Sequence, residues 1–196
     1  NSLTHFYVIY LDKKYRITKN FYNFLNLLTT QNKVKFEKTV APKNLTLINW
    51  IGCKSKLSEH IFATIPLKIN NYHEPFLGSG AVLFHVLDEE KRGNLTIKKN
   101  IYASDVNSSL INFYKVVQQM PNDFYSVFTK HFFLPYTSLK TLEEKSKFYY
   151  KVRTDFNTHI NSCLNCLDVN QSVRFFFLNK TCYGGLFRTN SDNFFN

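Results

Sequence analysis

The sequence predicts an α/β fold built on a parallel sheet, and three observations predict it. Asn71 to Phe76 reads as a strand running into a glycine turn, Leu77-Gly78-Ser79-Gly80, and Ala81 to Leu87 continues as an apolar helix start. A second strand, Asn100 to Ser104, ends in Asp105, and Leu110 to Gln119 is helical up to Pro121. Strand, helix, strand, helix in that order implies a right-handed parallel arrangement with helices on the faces of the sheet.

The other elements follow along the chain. Residues 1–42 read as an accessory segment. Within it, Phe6 to Leu11 is a strand by its aromatic and β-branched content, Phe21 to Leu28 a short amphipathic helix, and Thr29 to Asn32 a polar turn. A new block opens at Ala41-Pro42. Leu57 to Thr64 has helical character, with Ser55 and Ser58 as candidate caps, and it ends before Pro66. Residues 122–166 are mainly helical, with Phe124, Val127 and Phe128, then Tyr149, Val152 and Phe156, at helical spacing. The run Val173 to Leu178 is too short for periodicity to separate helix from strand. After it, Lys180 to Asn190 is a basic, aromatic loop broken by Gly184 and Gly185. Three regions result: an accessory basic segment 1–42, an α/β core 43–114, and a helical region 115–196.

Composition narrows the class. The 196 residues are 44% hydrophobic and 20% charged, as in a globular protein rather than a disordered one. No apolar run approaches the ~18–20 residues that span a bilayer, so no membrane partner is expected. The start lacks both a signal-peptide pattern and an initiator Met, which leads us to expect a fragment. The net charge of +11 favours a polyanion, and residues 1–56 hold ten of the 25 Lys and Arg against two of the 14 acids. A solvated basic face is the plainer reading of that excess. Cys163 and Cys166 form one C-x-x-C, which a zinc site would have to complete with Cys182 and His159. Reduced thiols in an intracellular protein are the simpler expectation, and no metal is assigned.

The glycine turn carries the first chemical signal. Glycines between a strand and a helix let a ligand approach the main chain, and the helix N-terminus favours polar or anionic groups. The turn is not a full G-x-G-x-x-G, so a plain βα turn is the alternative. Asp105 at the end of the next strand adds to the signal, because an acid there accepts ribose hydroxyls in dinucleotide-type sheets. Its structural alternative is a helix cap at Asp105-Val106-Asn107-Ser108. Turn and acid together point to an adenosine-bearing cofactor.

Five blocks in order then resemble one family. They are Asn49-Trp50-Ile51-Gly52-Cys53-Lys54, Glu74-Pro75-Phe76-Leu77-Gly78-Ser79-Gly80-Ala81-Val82, Ser104 to Tyr114, Phe148-Tyr149-Tyr150 with Arg153 and Phe156-Asn157, and Arg174 to Asn196. They look like the motifs of the Dam-type (D12 class) DNA adenine-N6 methyltransferases, over residues 49–196. The resemblance implies a Rossmann-like, doubly wound S-adenosylmethionine-dependent sheet with a helical target-recognition insertion. It implies S-adenosylmethionine as cofactor and double-stranded DNA as partner. By position, Trp50 and Lys54 match residues near the cofactor carboxylate and adenosine, Lys54 as a counter-ion. Glu74, Phe76, Gly78, Ser79 and Gly80 match the cofactor loop, and Asp105 the acid on the ribose. Tyr183, Leu186 and Arg188 match the DNA-reading loop, where an aromatic can wedge between bases and an arginine can bond a guanine edge.

The sequence departs from the family at several positions. Cys53 replaces a glycine, Gly184 an asparagine of the reading loop, and Asn49 a lysine before the tryptophan, so a GATC target is not implied. The family's Asp/Asn-Pro-Pro-Tyr/Phe motif, which holds the amine of the flipped base, is absent from the 196 residues. The catalytic residues are therefore unassigned. We expect a fragment, a degenerate relative that only binds nucleic acid, or a chain whose sheet is completed by a second chain or a missing C-terminal half. An unrelated interaction protein with a nucleotide-like sheet is the remaining alternative.

Overall fold

The computed structural model describes residues 7–11, 46–160, 167–192 and 194–196. The chain divides into two compact units, Asn1–Asn107 and Ser108–Asn196. The expected helix at Phe21 to Leu28, the turn at Thr29 to Asn32 and the Cys163/Cys166 pair lie outside the described residues.

In the first unit β1 (Tyr7–Leu11), α1 (Ser58–Ala63), β2 (Lys68–Ile69), β3 (Tyr72–Glu74), α2 (Ala81–Lys91), β4 (Thr96–Ile97) and β5 (Ile101–Asp105) follow one another. The main sheet has the order β1-β5-β3. β3 and β5 are parallel, with Tyr72 opposite Ile101 and Glu74 opposite Ala103. They are joined through the glycine turn and α2, as the strand-turn-helix-strand pattern predicts. β1 pairs antiparallel on the other edge of β5, Tyr7 opposite Asp105. A second, parallel pair joins β2 to β4. Two residues per strand are too few to show an alternation, so this pair left no mark in the sequence.

Burial explains why these segments hold together. Along β5, Ile101, Ala103 and Asp105 are buried while Tyr102 and Ser104 are half-buried, the period of two that a strand imposes. α2 contributes Ala81, Leu83 and Val86 to the core, with Leu47, Ile48, Leu77, Leu95 and Ile97. Its last turn is tied by Arg92 to Asp88 at 2.7 Å and to Glu89 at 3.1 Å. α1 departs from expectation at its start. Leu57 is its N-cap, and the Ser58 hydroxyl donates to the Ser55 carbonyl. Ser58 is fully buried, so it binds the preceding loop rather than capping the helix.

The second unit is helical: α3 (Ser108–Gln119), α4 (Pro121–Phe128), α5 (Leu134–Ser138), α6 (Leu142–Thr158) and α7 (Val169–Thr181). Pro121 opens α4 at a position where its missing N–H costs nothing. Pro135, inside the next segment, has no N–H for the carbonyl four residues back. The helix widens into a π turn over Thr129–Phe133 at that point. α6 begins with a capping box: the Thr141 hydroxyl accepts from the Glu144 amide, and Glu144 accepts from the Thr141 and Lys140 amides. These donors hold the Glu144 carboxyl below its usual range.

The run Val173 to Leu178, open between helix and strand in the sequence, lies in α7. Gln171 to Val173 and Phe175 to Asn179 are all buried, Arg174 is half-buried, and Asn170 and Lys180 are exposed, so the buried face is too broad to read as a stripe. Asp168 caps it by accepting from the Gln171 amide, and Asn112 of α3 binds both main-chain groups of Asp168. The core around it is aromatic. Phe113 stacks on Phe176 at 5.7 Å, and Phe124 and Phe128 meet Phe176 edge-on at 5.6 and 5.3 Å. Phe177 is edge-on to Tyr136 and Phe148. Edge-on and offset pairs add to the burial of such rings.

Phe113 is fully buried in that cluster. Truncating it to alanine is expected to lower stability by about 3–5 kcal/mol, the range for a large aromatic removed from a core. Equilibrium denaturation followed by far-UV circular dichroism measures it.

Candidate functional site

The glycine turn sits where the parallel strands β3 and β5 end. Leu77 donates its amide to the Ser104 carbonyl at 2.8 Å, and Gly80 donates to Leu77 at 2.8 Å. Gly78 and Gly80 have φ of 51° and 70°, in the left-handed region that a Cβ disfavours. Space forbids a side chain as well. A Cβ on Gly78 would lie 3.0 Å from Trp50 Cδ1, and one on Gly80 would lie 2.8 Å from Phe84 Cε2. Phe84 fills the space beside Gly80.

Asp105 locks this turn. Its Oδ2 accepts from the Gly78 amide at 2.9 Å, and its Oδ1 from the Asn107 amide at 3.0 Å. The first bond joins positions 27 residues apart and fixes the end of β3 to the end of β5. The second is a local turn before α3, which begins at Ser108. One carboxylate thus ties the glycine turn to the turn before α3.

The Trp50 to Lys54 segment lies against the turn. Trp50 is half-buried beside Gly78. Ser79 is buried, and its hydroxyl donates to Cys53 Sγ at 3.1 Å. Burial opposes ionisation of the Cys53 thiol, but the bonds from Ser79 and Ser55 and the charge of Lys54 outweigh it and bring the thiol below its usual range. Lys54 is exposed and places its ammonium 2.6 Å from the Gly52 carbonyl. Glu74 accepts from the Tyr72 hydroxyl at 2.9 Å. Burial pushes the Glu74 carboxyl up to about 7, despite that donor. Burial, and then the neighbouring carboxylate, drive the Tyr72 phenol above its usual range. Two apolar side chains flank the turn and stay in solvent: Phe76, 78% exposed, and Val106, directly after Asp105, 54% exposed. Trp50, Lys54, Glu74, Phe76, Gly78, Ser79, Gly80 and Asp105 therefore all belong to one region of the first unit.

Tyr183, Leu186 and Arg188 lie on a separate framework, in the second unit. Tyr183–Gly185 is a single 3-10 turn after α7, and Gly184 and Gly185 have φ of 66° and 64°. The buried Asn179 side chain donates to the Gly185 carbonyl. Behind the loop, Phe187 packs on Phe156, Phe175 and Phe195. Thr189 bridges Phe195, and Asn157 bonds both main-chain groups of Phe195. On this frame Tyr183 is 92% exposed, Arg188 is exposed and Leu186 half-buried. Nearby on α6, the Arg153 guanidinium lies 4.8 Å from the Tyr150 ring centroid.

Sequence reasoning missed Val106 and Tyr72. An apolar residue between a strand-end acid and a helix start is a visible signal for Val106. The Tyr72–Glu74 bond is a contact that no local pattern encodes. Among the described residues no group of three or more His, Cys, Asp or Glu is placed to hold a metal ion. His159, considered for zinc, has Nδ1 on the Asp155 carbonyl, and Cys182 has its sulfur beside the Asn179 and Leu186 carbonyls.

Comparison with known proteins agrees with the motif blocks. The family model described as D12 class N6 adenine-specific DNA methyltransferase matches residues 50–196. A Type II methyltransferase M.MjaIII of Methanocaldococcus jannaschii is 39% identical over 155 residues, 76% of this chain and 50% of that protein. The DNA adenine methylase of Salmonella typhi is 32% identical over 155 residues, 79% of this chain and 47% of the relative. The DNA N-6-adenine-methyltransferase of Escherichia phage P1 is 29% identical over 167 residues, 85% of this chain and 19% of that protein. The chain thus spans about half the length, or less, of these curated relatives. With a family model covering Trp50 to Asn196, this chain belongs to the D12 class of N6 adenine-specific DNA methyltransferases.

Proposed function

We propose that this chain is the cofactor-binding and target-recognition portion of an S-adenosylmethionine-dependent DNA adenine-N6 methyltransferase acting on double-stranded DNA. The observation that carries the reading is the Asp105 bond to Gly78, which sets a turn that admits no Cβ at the ends of two parallel strands. A crevice at that place in an open α/β sheet is where ligands bind. The small parallel sheet is then the start of a Rossmann-like, doubly wound fold, with residues 43–114 as the cofactor core and 115–196 as the target-recognition region.

The residues present fit the cofactor. Gly78 and Gly80 hold the left-handed backbone that shapes the turn. Each Asp105 oxygen holds one amide in the structure and keeps a lone-pair direction for a ribose hydroxyl. Lys54 can exchange the Gly52 carbonyl for the cofactor carboxylate, a stronger, charge-assisted partner. Trp50, Phe76 and Val106 offer apolar walls for adenosine. When bound, S-adenosylmethionine supplies an electrophilic methyl group on a sulfonium. The chain's own part is to bind and orient that donor. The amine of the target base needs an acceptor, and with no Asp/Asn-Pro-Pro-Tyr/Phe in the sequence, no residue here is assigned to that step.

The second unit supplies the DNA-reading surface in this account. A 92% exposed tyrosine at the tip of a braced turn has the shape of a wedge between stacked bases. Arg188, exposed in the segment tied to Asn196, has the fork that pairs with guanine. Gly184 offers no side chain to a base, so Arg188 carries more of the readout than in relatives with an asparagine at that place. No helix among the described residues is long and apolar enough to cross a membrane.

Titration calorimetry with S-adenosylmethionine is expected to show binding that Asp105→Ala weakens by about 1–3 kcal/mol, the range for a lost hydrogen bond to a buried partner. A folded chain that does not bind would overturn the cofactor reading and leave nucleic-acid binding as the function. For DNA, Arg188→Ala should cost about 1–3 kcal/mol on the preferred duplex and relax its specificity. Tyr183→Ala should weaken binding at the same site. Fluorescence anisotropy against matched and scrambled duplexes separates these from a loss of phosphate contacts, which would weaken all sequences alike.

A further inference from the structure

We infer that Asn157 of α6 is a positioning residue for Arg188, acting through Phe195 and Asn196, so that it governs discrimination between bases rather than grip on DNA. This rests on the target-recognition reading above and names a further residue of that site. The geometry begins after Gly184 and Gly185. Thr189 and Phe195 face each other across an antiparallel bridge. Two main-chain bonds flank it: the Asn196 N–H donates to the Arg188 carbonyl at 3.0 Å, and the Asn190 N–H to the Phe194 carbonyl at 2.9 Å. Thr189 and Phe195 are therefore the pair that exchanges no bond, and both main-chain groups of Phe195 point away from Thr189. Asn190 closes the turn between them, its Oδ1 accepting from the Asp192 and Phe194 amides at 3.0 and 2.9 Å.

Phe195 is buried, so its outward N–H and C=O need partners inside the protein. No further strand pairs with this bridge among the described residues. Asn157 stands in for one. Its Oδ1 accepts from the Phe195 N–H at 2.8 Å, and its Nδ2 donates to the Phe195 carbonyl at 3.0 Å. One side-chain amide thus presents the donor and the acceptor of a peptide group, as a neighbouring strand would.

The anchored end of this link is firm. Phe156, next to Asn157, is fully buried against Phe175 and Phe195, and its carbonyl accepts from the buried Gln171 side chain of α7 at 2.8 Å. The other end is the Arg188 carbonyl, whose own side chain is exposed. The Arg188 main chain is thus referred to the helical core through Asn196, Phe195 and Asn157. What Asn157 controls follows from how two kinds of contact depend on distance. A two-pronged bond from an arginine to a base edge needs placement to within about 0.5 Å. Attraction between the same guanidinium and a phosphate changes little over such a displacement. Loosening the link therefore costs base readout and spares the charge.

The test is fluorescence anisotropy with the 196-residue chain. The probes are a duplex selected from a random library, its scrambled counterpart, and the selected duplex with 7-deazaguanine at each guanine in turn, which removes the N7 acceptor an arginine reads. Arg188→Ala should abolish the penalty for 7-deazaguanine at one guanine. Asn157→Ala should shrink that penalty and lower the preference for the selected over the scrambled duplex about tenfold, within the factor of about 5–150 that one such pair supplies. Affinity for the scrambled duplex should stay within about twofold of the parent, because the phosphate contacts are unchanged. Adding Asn157→Ala to Arg188→Ala should bring no further loss of preference, because both act through one contact. Asn196→Pro removes the N–H that binds the Arg188 carbonyl, at an exposed position, and should reproduce the Asn157→Ala result, so it carries the test if Asn157→Ala does not fold. Equal losses on the selected and scrambled duplexes, or additive losses in the double variant, are what a merely stabilising residue gives; either overturns the inference and leaves Arg188 as the reader. Arg188→Ala without effect on preference, or a folded chain that binds no duplex, overturns the target-recognition reading and this inference with it.

Discussion

The first unit depends on one carboxylate. Asp105 stands at the last position of β5 and takes the Gly78 amide at 2.9 Å, so the strand that leads into the glycine turn and the strand that returns from α2 are fixed at the same end. The turn needs this external hold. Gly78 and Gly80 adopt conformations that most residues avoid, and glycine's freedom in the unfolded chain makes those conformations entropically costly to fix. A buried, charge-assisted bond offsets that cost. The tight fits of Trp50 to Gly78 and of Phe84 to Gly80 follow from the same constraint.

The second unit solves a different problem, which is how to hold a loop that must stay exposed. Tyr183 cannot stabilise itself at 92% exposure. Its frame comes from below: Asn179 on the Gly185 carbonyl, Phe187 in the aromatic core, and Asn157 bonded at both main-chain groups of Phe195. Rigid support under an exposed aromatic and an exposed arginine lowers the entropy lost when they are ordered against a partner. The stack of phenylalanines around Phe176 does the packing that a mixed aliphatic core does elsewhere.

Most of the architecture and half of the site's logic were legible in the residues. The β3–α2–β5 order followed from alternating patterns and the glycine turn, and α6 from Tyr149, Val152 and Phe156 at helical spacing. Ser58 misled because a serine beside a helix start reads as a cap whether its hydroxyl faces the helix or the loop. The Val173 to Leu178 run was ambiguous because it is short and buried at all but one position. At the site, Gly78, Gly80 and Asp105 each carried a pattern, since strained backbone and strand-end acids leave sequence traces. The Tyr72–Glu74 bond left none, because both are ordinary strand residues.

The most direct test of the account is a titration of the chain with S-adenosylmethionine followed by amide and indole chemical shifts. The account places the ligand on the Asp105-locked turn, so the signals of Gly78, Ser79, Gly80, Val106 and the Trp50 indole should move together and saturate, while those of Tyr183 to Arg188 stay still. Shifts confined to the 183–188 loop, or none at all in a folded chain, would contradict it.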